Sequence, residues 1–533
     1  MNISGLSISA VTAYNLYENQ RFAELLTLMH AGNDTVKGSR YDDLLAGYEG
    51  NDSIYGNAGD DLLIGGNGDD LLDGGAGTDT LTGGLGNDIY VIDSLSDSIV
   101  EGANEGIDQV RVAIAVAGGS YSLGSHLENA TLINKVAFDL IGNEVDNVLL
   151  GNAAANRIDG GLGADRMEGG AGNDTYVVDD QGDSIHDSAG IDTVETSLAY
   201  TLGDKLENLV ITGSAAVTGT GNSLANVLDG SQNSAANVLE GLGGNDTYIV
   251  GAGDSVIEND AMGGIDLVKS YVDFELGLNL ENLTLLGNAI SAIGNAQANV
   301  LTGNAENNVL DGRGGVDKLL GGKGDDTYIV DLTSTNALQD KITELTGDGI
   351  DTLVLRGGTD TLKTSTMTLQ ANLENLDASA TGSIRLNLTG NGAHNILTGN
   401  EGDNILNGGA GNDQLYGGDG HDILIGGTGA DRLTGGTGND IFRFTSLSDL
   451  GLGDGKQDVI VDFTHGEDKL ELKFLKGYSF KGSDAFDGLR QLRYEQVGDD
   501  VLLYGNSSGD LNPDFSIKLL GMTTLYVDDL VLA

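Results

Sequence analysis

Seven aspartates stand nine residues apart in the early part of this chain: Asp34, Asp43, Asp52, Asp61, Asp70, Asp79 and Asp88. From Gly56 to Val91 the residues around them keep one register, reading GNAGDDLLI, GGNGDDLLD, GGAGTDTLT and GGLGNDIYV. Each nonapeptide carries glycine at its first and fourth positions, Asp at its sixth and a large apolar residue at its eighth. Glycine admits positive φ and lets backbone approach an ion closely. A glycine-rich hexad can thus curl its carbonyl oxygens inward while the Asp adds a charged oxygen. Oxygen-only ligation in flexible geometry suits a hard cation and favours Ca²⁺.

Such residues need elements to hold them in rows. A nonapeptide is too short to bury its own apolar residue, so it must do so against neighbours above and below. Its last three residues alternate in the manner of a strand with the middle apolar side chain turned inward. Two nonapeptides on opposite sides make one coil of 18 residues, which pairs Asp34 with Asp52, Asp43 with Asp61, Asp52 with Asp70, Asp61 with Asp79, and Asp70 with Asp88. Adjacent rungs of a parallel sheet lie about 4.8 Å apart. At that distance two carboxylates repel unless a cation sits between them.

These nonapeptides closely resemble the RTX, or haemolysin-type, calcium-binding repeat G-G-x-G-x-D-x-U-x. The resemblance implies an all-β, right-handed parallel β-roll or β-solenoid, Ca²⁺ between successive turns, and export by type I secretion. Composition agrees: 81 acidic residues against 26 basic give a net charge of −55. That excludes a nucleic-acid binder and opposes adsorption to anionic membranes. With no Cys, neither disulfides nor thiolate sites stabilise the fold. Eighty-five glycines, one proline and no Trp describe a turn-rich, thin-cored solenoid.

Five regions follow in order. Residues 1–30 lack the basic start and apolar run of a secretory signal peptide. Within them Phe22, Leu25, Leu26 and Met29 fall at helical spacing, and Gly32 follows as a stop, which predicts an amphipathic helix capping the open end of the solenoid. Residues 31–93 form the first RTX block. Residues 94–390 hold four long degenerate repeats, opened by Asp88-Ile-Tyr-Val-Ile-Asp93, Asp174-Thr-Tyr-Val-Val-Asp179, Asp246-Thr-Tyr-Ile-Val250 and Asp326-Thr-Tyr-Ile-Val-Asp331. Each continues through a Gly-Ile-Asp (Asp108, Asp192, Asp266, Asp351) and a Leu-Glu-Asn (Asn129, Asn208, Asn282, Asn375). The nine-residue spacing persists inside them, so the coil is expected to continue, with loops absorbing the irregular lengths. Residues 391–440 are a second RTX block. Residues 441–533 resemble the terminal β module of RTX exoproteins, with a hairpin over Val501–Tyr504 and Ser516–Leu520. The tail Asp528-Asp-Leu-Val-Leu-Ala533 is similar to the uncleaved C-terminal signal of type I substrates.

Where the sixth position is Asn, as at Asn147, Asn156, Asn226, Asn237, Asn299, Asn308, Asn395 and Asn404, the turn has a donor and an acceptor but no charge to hold Ca²⁺. Those turns are expected to be weak or empty. The metal ligands expected are therefore Asp34, Asp43, Asp52, Asp61, Asp70, Asp79, Asp88 and Asp97; Asp165, Asp174, Asp183 and Asp192; Asp246, Asp317 and Asp326; and Asp413, Asp422, Asp431 and Asp440.

Signals for catalysis are missing. The six histidines are scattered and no HExxH occurs. Gly505-Asn-Ser507-Ser-Gly509 matches G-x-S-x-G, but no His follows Ser507. No P-loop is present, and no run of 18 apolar residues could span a membrane. The expectation is a secreted, extracellular calcium-binding solenoid that is not an enzyme and works as a structural or surface-interaction protein of S-layer, matrix or adhesin type. Its expected partners are calcium ions, the type I secretion machinery, and cell-surface or matrix polysaccharide or further copies of itself. The alternative is the RTX portion of a secreted hydrolase, toxin or polysaccharide-modifying enzyme.

Overall fold

The computed structural model describes residues 2–4, 31–259, 263–361 and 363–533. The capping helix expected before His30 lies outside the described residues. The chain forms two compact units, Met1–Asp266 and Leu267–Ala533.

In the first unit successive strands alternate between two faces. Thr35–Lys37, Ser53–Ala58, Leu71–Ala76 and Ile89–Ile92 stack as parallel rungs on one face. Leu44–Glu49, Leu62–Asn67, Thr80–Leu85 and Ser98–Val100 stack on the other. The pairing Ile54↔Leu72 and Leu63↔Leu81 is the 18-residue coil. Side chains alternate in and out, so the eighth-position residues Leu45, Ile54, Leu63, Leu72, Leu81 and Tyr90 fill a single-file core and are essentially fully buried. Asn2–Ser4 pairs antiparallel with Thr35–Lys37 at the edge of the first rung.

The coil continues through the long repeats with rungs of unequal length. The Asp88 N–H donates to Asp108 Oδ1 across 20 residues, whereas the Asp192 N–H reaches Glu207 Oε2 across 15. The same ladder in the second unit spans 23 residues at Asp317–Asp340, 25 at Asp326–Asp351, and 28 at Asp440–Asp468. Surplus residues leave as loops while strand register is kept, because a slip of one residue would turn every apolar side chain outward.

The second unit ends in a module that changes direction. Phe515–Leu519 pairs parallel with Asp458–Ile460 and antiparallel with Asp500–Asn506, which pairs antiparallel with Gln491–Val497. The expected hairpin is thus part of a larger meander. Leu530–Val531 of the tail pairs parallel with Lys469–Glu471, and the preceding Asp529 is fully buried, bonded to His465 Nδ1 at 2.6 Å.

Candidate metal centres

Each Asp turn repeats one arrangement. One carboxylate oxygen accepts the backbone N–H of the Asp or Asn one coil earlier: Asp34 N–H to Asp52 Oδ1 at 2.7 Å, Asp52 N–H to Asp70 Oδ1 at 2.7 Å, Asp70 N–H to Asp88 Oδ1 at 2.8 Å, and Asn147 N–H to Asp165 Oδ1 at 2.7 Å. The other oxygen has no hydrogen-bond partner although it is buried. This holds for Oδ2 of Asp52, Asp61, Asp70, Asp79 and Asp88, of Asp165, Asp174 and Asp192, of Asp246, Asp317 and Asp326, and of Asp413, Asp422, Asp431 and Asp440. An orphaned buried carboxylate oxygen is costly unless a cation compensates it.

The first-position glycines close these spaces. A Cβ at Gly56 would lie within 3.0 Å of both Asp61 Oδ2 and Gly74 O, and a Cβ at Gly417 would lie equally close to Asp422 Oδ2 and Gly435 O. Two acceptor oxygens from different rungs thus converge where no side chain fits. Oxygen-only, negatively charged and glycine-lined, the donor set fits Ca²⁺. The sixth-position Asp and the backbone carbonyls beside it would hold the ion, which supplies the charge that lets the rows of carboxylates stack.

Electrostatics follows from burial. Burial pushes Asp88 up to about 7, and the neighbouring Asp70 and Asp108 carboxylates add to the effect. Asp413 and Asp422 likewise rise to about 7, and Asp70, Asp79, Asp431 and Asp440 to about 6.

Four expected ligands are placed differently. Asp34 is buried and donates its N–H to Asp52 at the start of the row. Asp43 accepts both the N–H and the hydroxyl of Ser39, which hold its carboxyl below the usual range. Asp97 accepts the N–H groups of Asp79, Ser94 and Asp93, and Asp183 those of Asp165, Asp179 and Asp180. Both close turns through N–H donors on both oxygens.

The Asn turns satisfy themselves. Asn226 Oδ1 accepts the Asn222 N–H at 2.8 Å, and its Nδ2 donates to Leu206 O and Glu207 O. Asn147 and Asn299 repeat this bonding, and Asn395 accepts the Asn391 N–H and donates to Glu374 O and Asn391 Oδ1. The amide donor meets carbonyls that a carboxylate oxygen would repel. Asp70→Asn is therefore expected to lower the calcium stoichiometry read by calorimetry, since Asp70 belongs to the rungs of both Asp52 and Asp88. Asn226→Ala should leave stoichiometry unchanged and cost about 1–3 kcal/mol of stability through the groups it unpairs. Equal calcium loss in the two variants would contradict this division.

A second kind of cluster was missed from sequence. Three acids bring ligand oxygens within 4.8 Å of one another at Asp88–Glu101–Asp108, Asp174–Asp187–Asp192 and Asp326–Glu344–Asp351. In each, the phenol of a fully buried tyrosine (Tyr90, Tyr176, Tyr328) donates to the middle acid. The available signal was an acid four residues after Asp97, Asp183 and Asp340. Burial pushes Glu101 up to about 8 and keeps all three phenols protonated, with their pKa raised.

The serine of the G-x-S-x-G match lies in the connection between two antiparallel strands, where Ser507 donates its N–H and hydroxyl to Asp514 Oδ2. His421 Nδ1 accepts the Asn439 N–H at 2.9 Å in an outer, exposed ladder. Among the described residues no helix is long and apolar enough to cross a membrane.

Comparison with known proteins agrees with the geometry. The RTX calcium-binding nonapeptide repeat (4 copies) matches residues 30–63, 55–90, 141–176, 220–257 and 293–328. The Peptidase M10 serralysin C terminal family matches residues 352–532. Among solved structures, the AlgE6R3 subunit of the Azotobacter vinelandii mannuronan C5-epimerase is 30% identical over 26% of this chain and 79% of that one, with a TM-score of 0.23. The AlgE6R2 subunit of the same enzyme is 30% identical over 26% of this chain and 89% of that one, also with a TM-score of 0.23. No curated protein matches. The chain carries RTX calcium-binding repeats stacked as a β-solenoid.

Proposed function

We propose that this calcium-binding RTX solenoid is the non-catalytic RTX portion of a secreted, serralysin-like hydrolase system, folding on Ca²⁺ after export. The observation that carries the reading is the row of buried carboxylate oxygens without partners, adjoining a region that matches a serralysin C terminal. In a calcium-poor cytosol the carboxylates would repel and keep the chain threadable. Outside the cell the ion would complete each rung. Purified calcium-loaded chain should show no peptidase, esterase, or polysaccharide lyase or epimerase activity and should stay dispersed; an activity that survives repurification would overturn the non-catalytic assignment.

A second reading, a structural or surface-interaction protein, draws on the rungs that fill residues 31–259, beyond the serralysin match. Electron microscopy separates the two, since assembly into a layer or fibre in calcium would favour the second.

Export supplies a further expectation. Deleting Tyr526–Ala533 should hold the protein in the cell pellet, whereas deleting Asn2–His30 should leave it in the supernatant. Because Leu530–Val531 also forms a rung, the truncation will cost stability as well. A tail-less protein that is less stable yet fully exported would refute the address and leave only the rung.

A further inference from the structure

The three acid triads share a construction that differs from the paired-Asp turns. In the first, Asp88 Oδ1 is fixed by the Asp70 N–H and Asp108 Oδ1 by the Asp88 N–H, at 2.8 and 2.7 Å. Both Oδ2 atoms are left buried without a partner, on residues 1% and 0% exposed. Glu101, from the loop that leaves the coil, brings the third carboxylate and is tied down by Tyr90. The second triad repeats this: Asp174 and Asp192 keep orphaned Oδ2 atoms on residues 1% and 0% exposed, and Asp187 accepts Tyr176 Oη at 2.7 Å while its own Oδ2 is unpartnered. In the third, the Oδ2 atoms of Asp326 and Asp351 are orphaned on residues each 1% exposed, and Tyr328 holds Glu344. In all three the acid stands at the end of a rung, four residues after Asp97, Asp183 or Asp340, and reaches the same place.

The end of the last Asp row is a natural contrast. There Phe442 takes the tyrosine position, Asp468 spends its second oxygen on the Thr464 N–H, and no triad forms among the described residues. Phenol and acid also occur together in the remaining long repeat, where the buried Tyr248 donates to Glu258 at 3.0 Å.

We propose that the triads Asp88–Glu101–Asp108, Asp174–Asp187–Asp192 and Asp326–Glu344–Asp351 are a second, tighter class of Ca²⁺ site, each with its loop carboxylate positioned by a buried tyrosine. Affinity in oxygen sites rises with the number of ligand charges and with rigidity. A paired-Asp turn offers two carboxylates, and a triad offers three. Here two are pinned by backbone N–H groups and the third by a phenol that cannot move within the core. The first triad closes the Asp row that runs through Asp52, Asp70 and Asp88, so a tight ion there would anchor that row before its weaker sites fill, whereas Asp174 and Asp326 follow Asn156 and Asn308. The inference rests on the calcium reading of the nonapeptides, and its test separates the two.

Terbium(III) replaces calcium in oxygen sites and emits when excited through a nearby aromatic ring; with no Trp in the chain, tyrosine is the sensitiser. Calcium-free full-length protein titrated with Tb³⁺ should give tyrosine-excited emission that saturates first, at low equivalents, and is displaced last by Ca²⁺. Tyr176→Phe keeps the packing, removes one hydroxyl and should weaken its site about tenfold, as loss of a ligand-orienting partner does, read by calorimetry because the variant also removes that site's sensitiser. Asp187→Asn should delete that site from the early phase. Asp79→Asn, away from the triads, should reduce only the later phase. Early emission unchanged by Asp187→Asn together with tight-site affinity unchanged by Tyr176→Phe in calorimetry would overturn the proposal, as would wild-type emission that grows only with the bulk sites. Either result with a normal loss in Asp79→Asn leaves the nonapeptide sites standing; a chain whose later phase ignores Asp79→Asn would instead remove the premise.

Discussion

Removing calcium at pH 8 is expected to abolish most of the β signal in circular dichroism, and adding it back at millimolar concentration should restore the signal in one steep step. The reason lies in the ladder at residues 34–97. Asp52, Asp61, Asp70, Asp79 and Asp88 each carry a buried oxygen with no partner, and each accepts the N–H of the Asp one coil earlier. An uncompensated buried charge costs several kcal/mol. The single-file core of one apolar residue per nonapeptide offers little to offset a row of them. Extracellular-type sites bind with a Kd of roughly 10⁻⁴ to 10⁻³ M, so each ion contributes about 1 kcal/mol at millimolar Ca²⁺ by mass action. The contribution per site is small, but the Asp residues are shared between neighbouring rungs, so filling is coupled and the transition steep. Full β content in EGTA would show that the rows stack without the ion.

Acid should rescue the calcium-free fold. Calcium-stripped, dialysed protein, free of chelator, is expected to gain β structure as pH falls from 8 to about 5, because buried carboxyls that take up a proton no longer repel. The sign follows from linkage. Burial raises Asp88, Asp413 and Asp422 to about 7, Asp70 and Asp440 to about 6, and Asp458 to about 8; the unfolded value is about 3.9. A group whose folded value is raised contributes stability that is fully present below the unfolded value and is lost as pH rises through the folded one. The calcium-free chain should therefore lose stability between about pH 4 and pH 8. Ca²⁺ and protons compete for the same oxygens, so calcium affinity should run the other way and weaken toward pH 5. A calcium-free chain that is no better folded at pH 5 than at pH 8, followed by circular dichroism and by sedimentation, would mean that these carboxyls are not buried in the way the ladder requires.

Much of this was legible in the residues alone. A strict nine-residue period forces a stack, because one apolar side chain per nonapeptide can be covered only by its neighbours. The 18-residue register Ile54↔Leu72 follows directly. The contrast between Asp and Asn at the sixth position was legible too, since an amide carries both donor and acceptor and a carboxylate carries only acceptors. Asn226 spends both of its groups, and Asp70 leaves one exposed to nothing but burial.

Tertiary structure decided what spacing cannot encode. Asp97 and Asp183 obey the nine-residue spacing, yet each lies in the turn just before a rung, Ser98–Val100 or Ser184–Ile185, and the N–H groups of that turn occupy it. Glu101, Asp187 and Glu344 stand 13, 13 and 18 residues after Asp88, Asp174 and Asp326, each four residues after Asp97, Asp183 or Asp340, and that spacing does not tell which pair of rungs they meet. A period determines which residues stack, because strand register is rigid. Where that acid closes on two Asp carboxylates is determined by what receives it, here a buried phenol two residues beyond the first Asp of each pair.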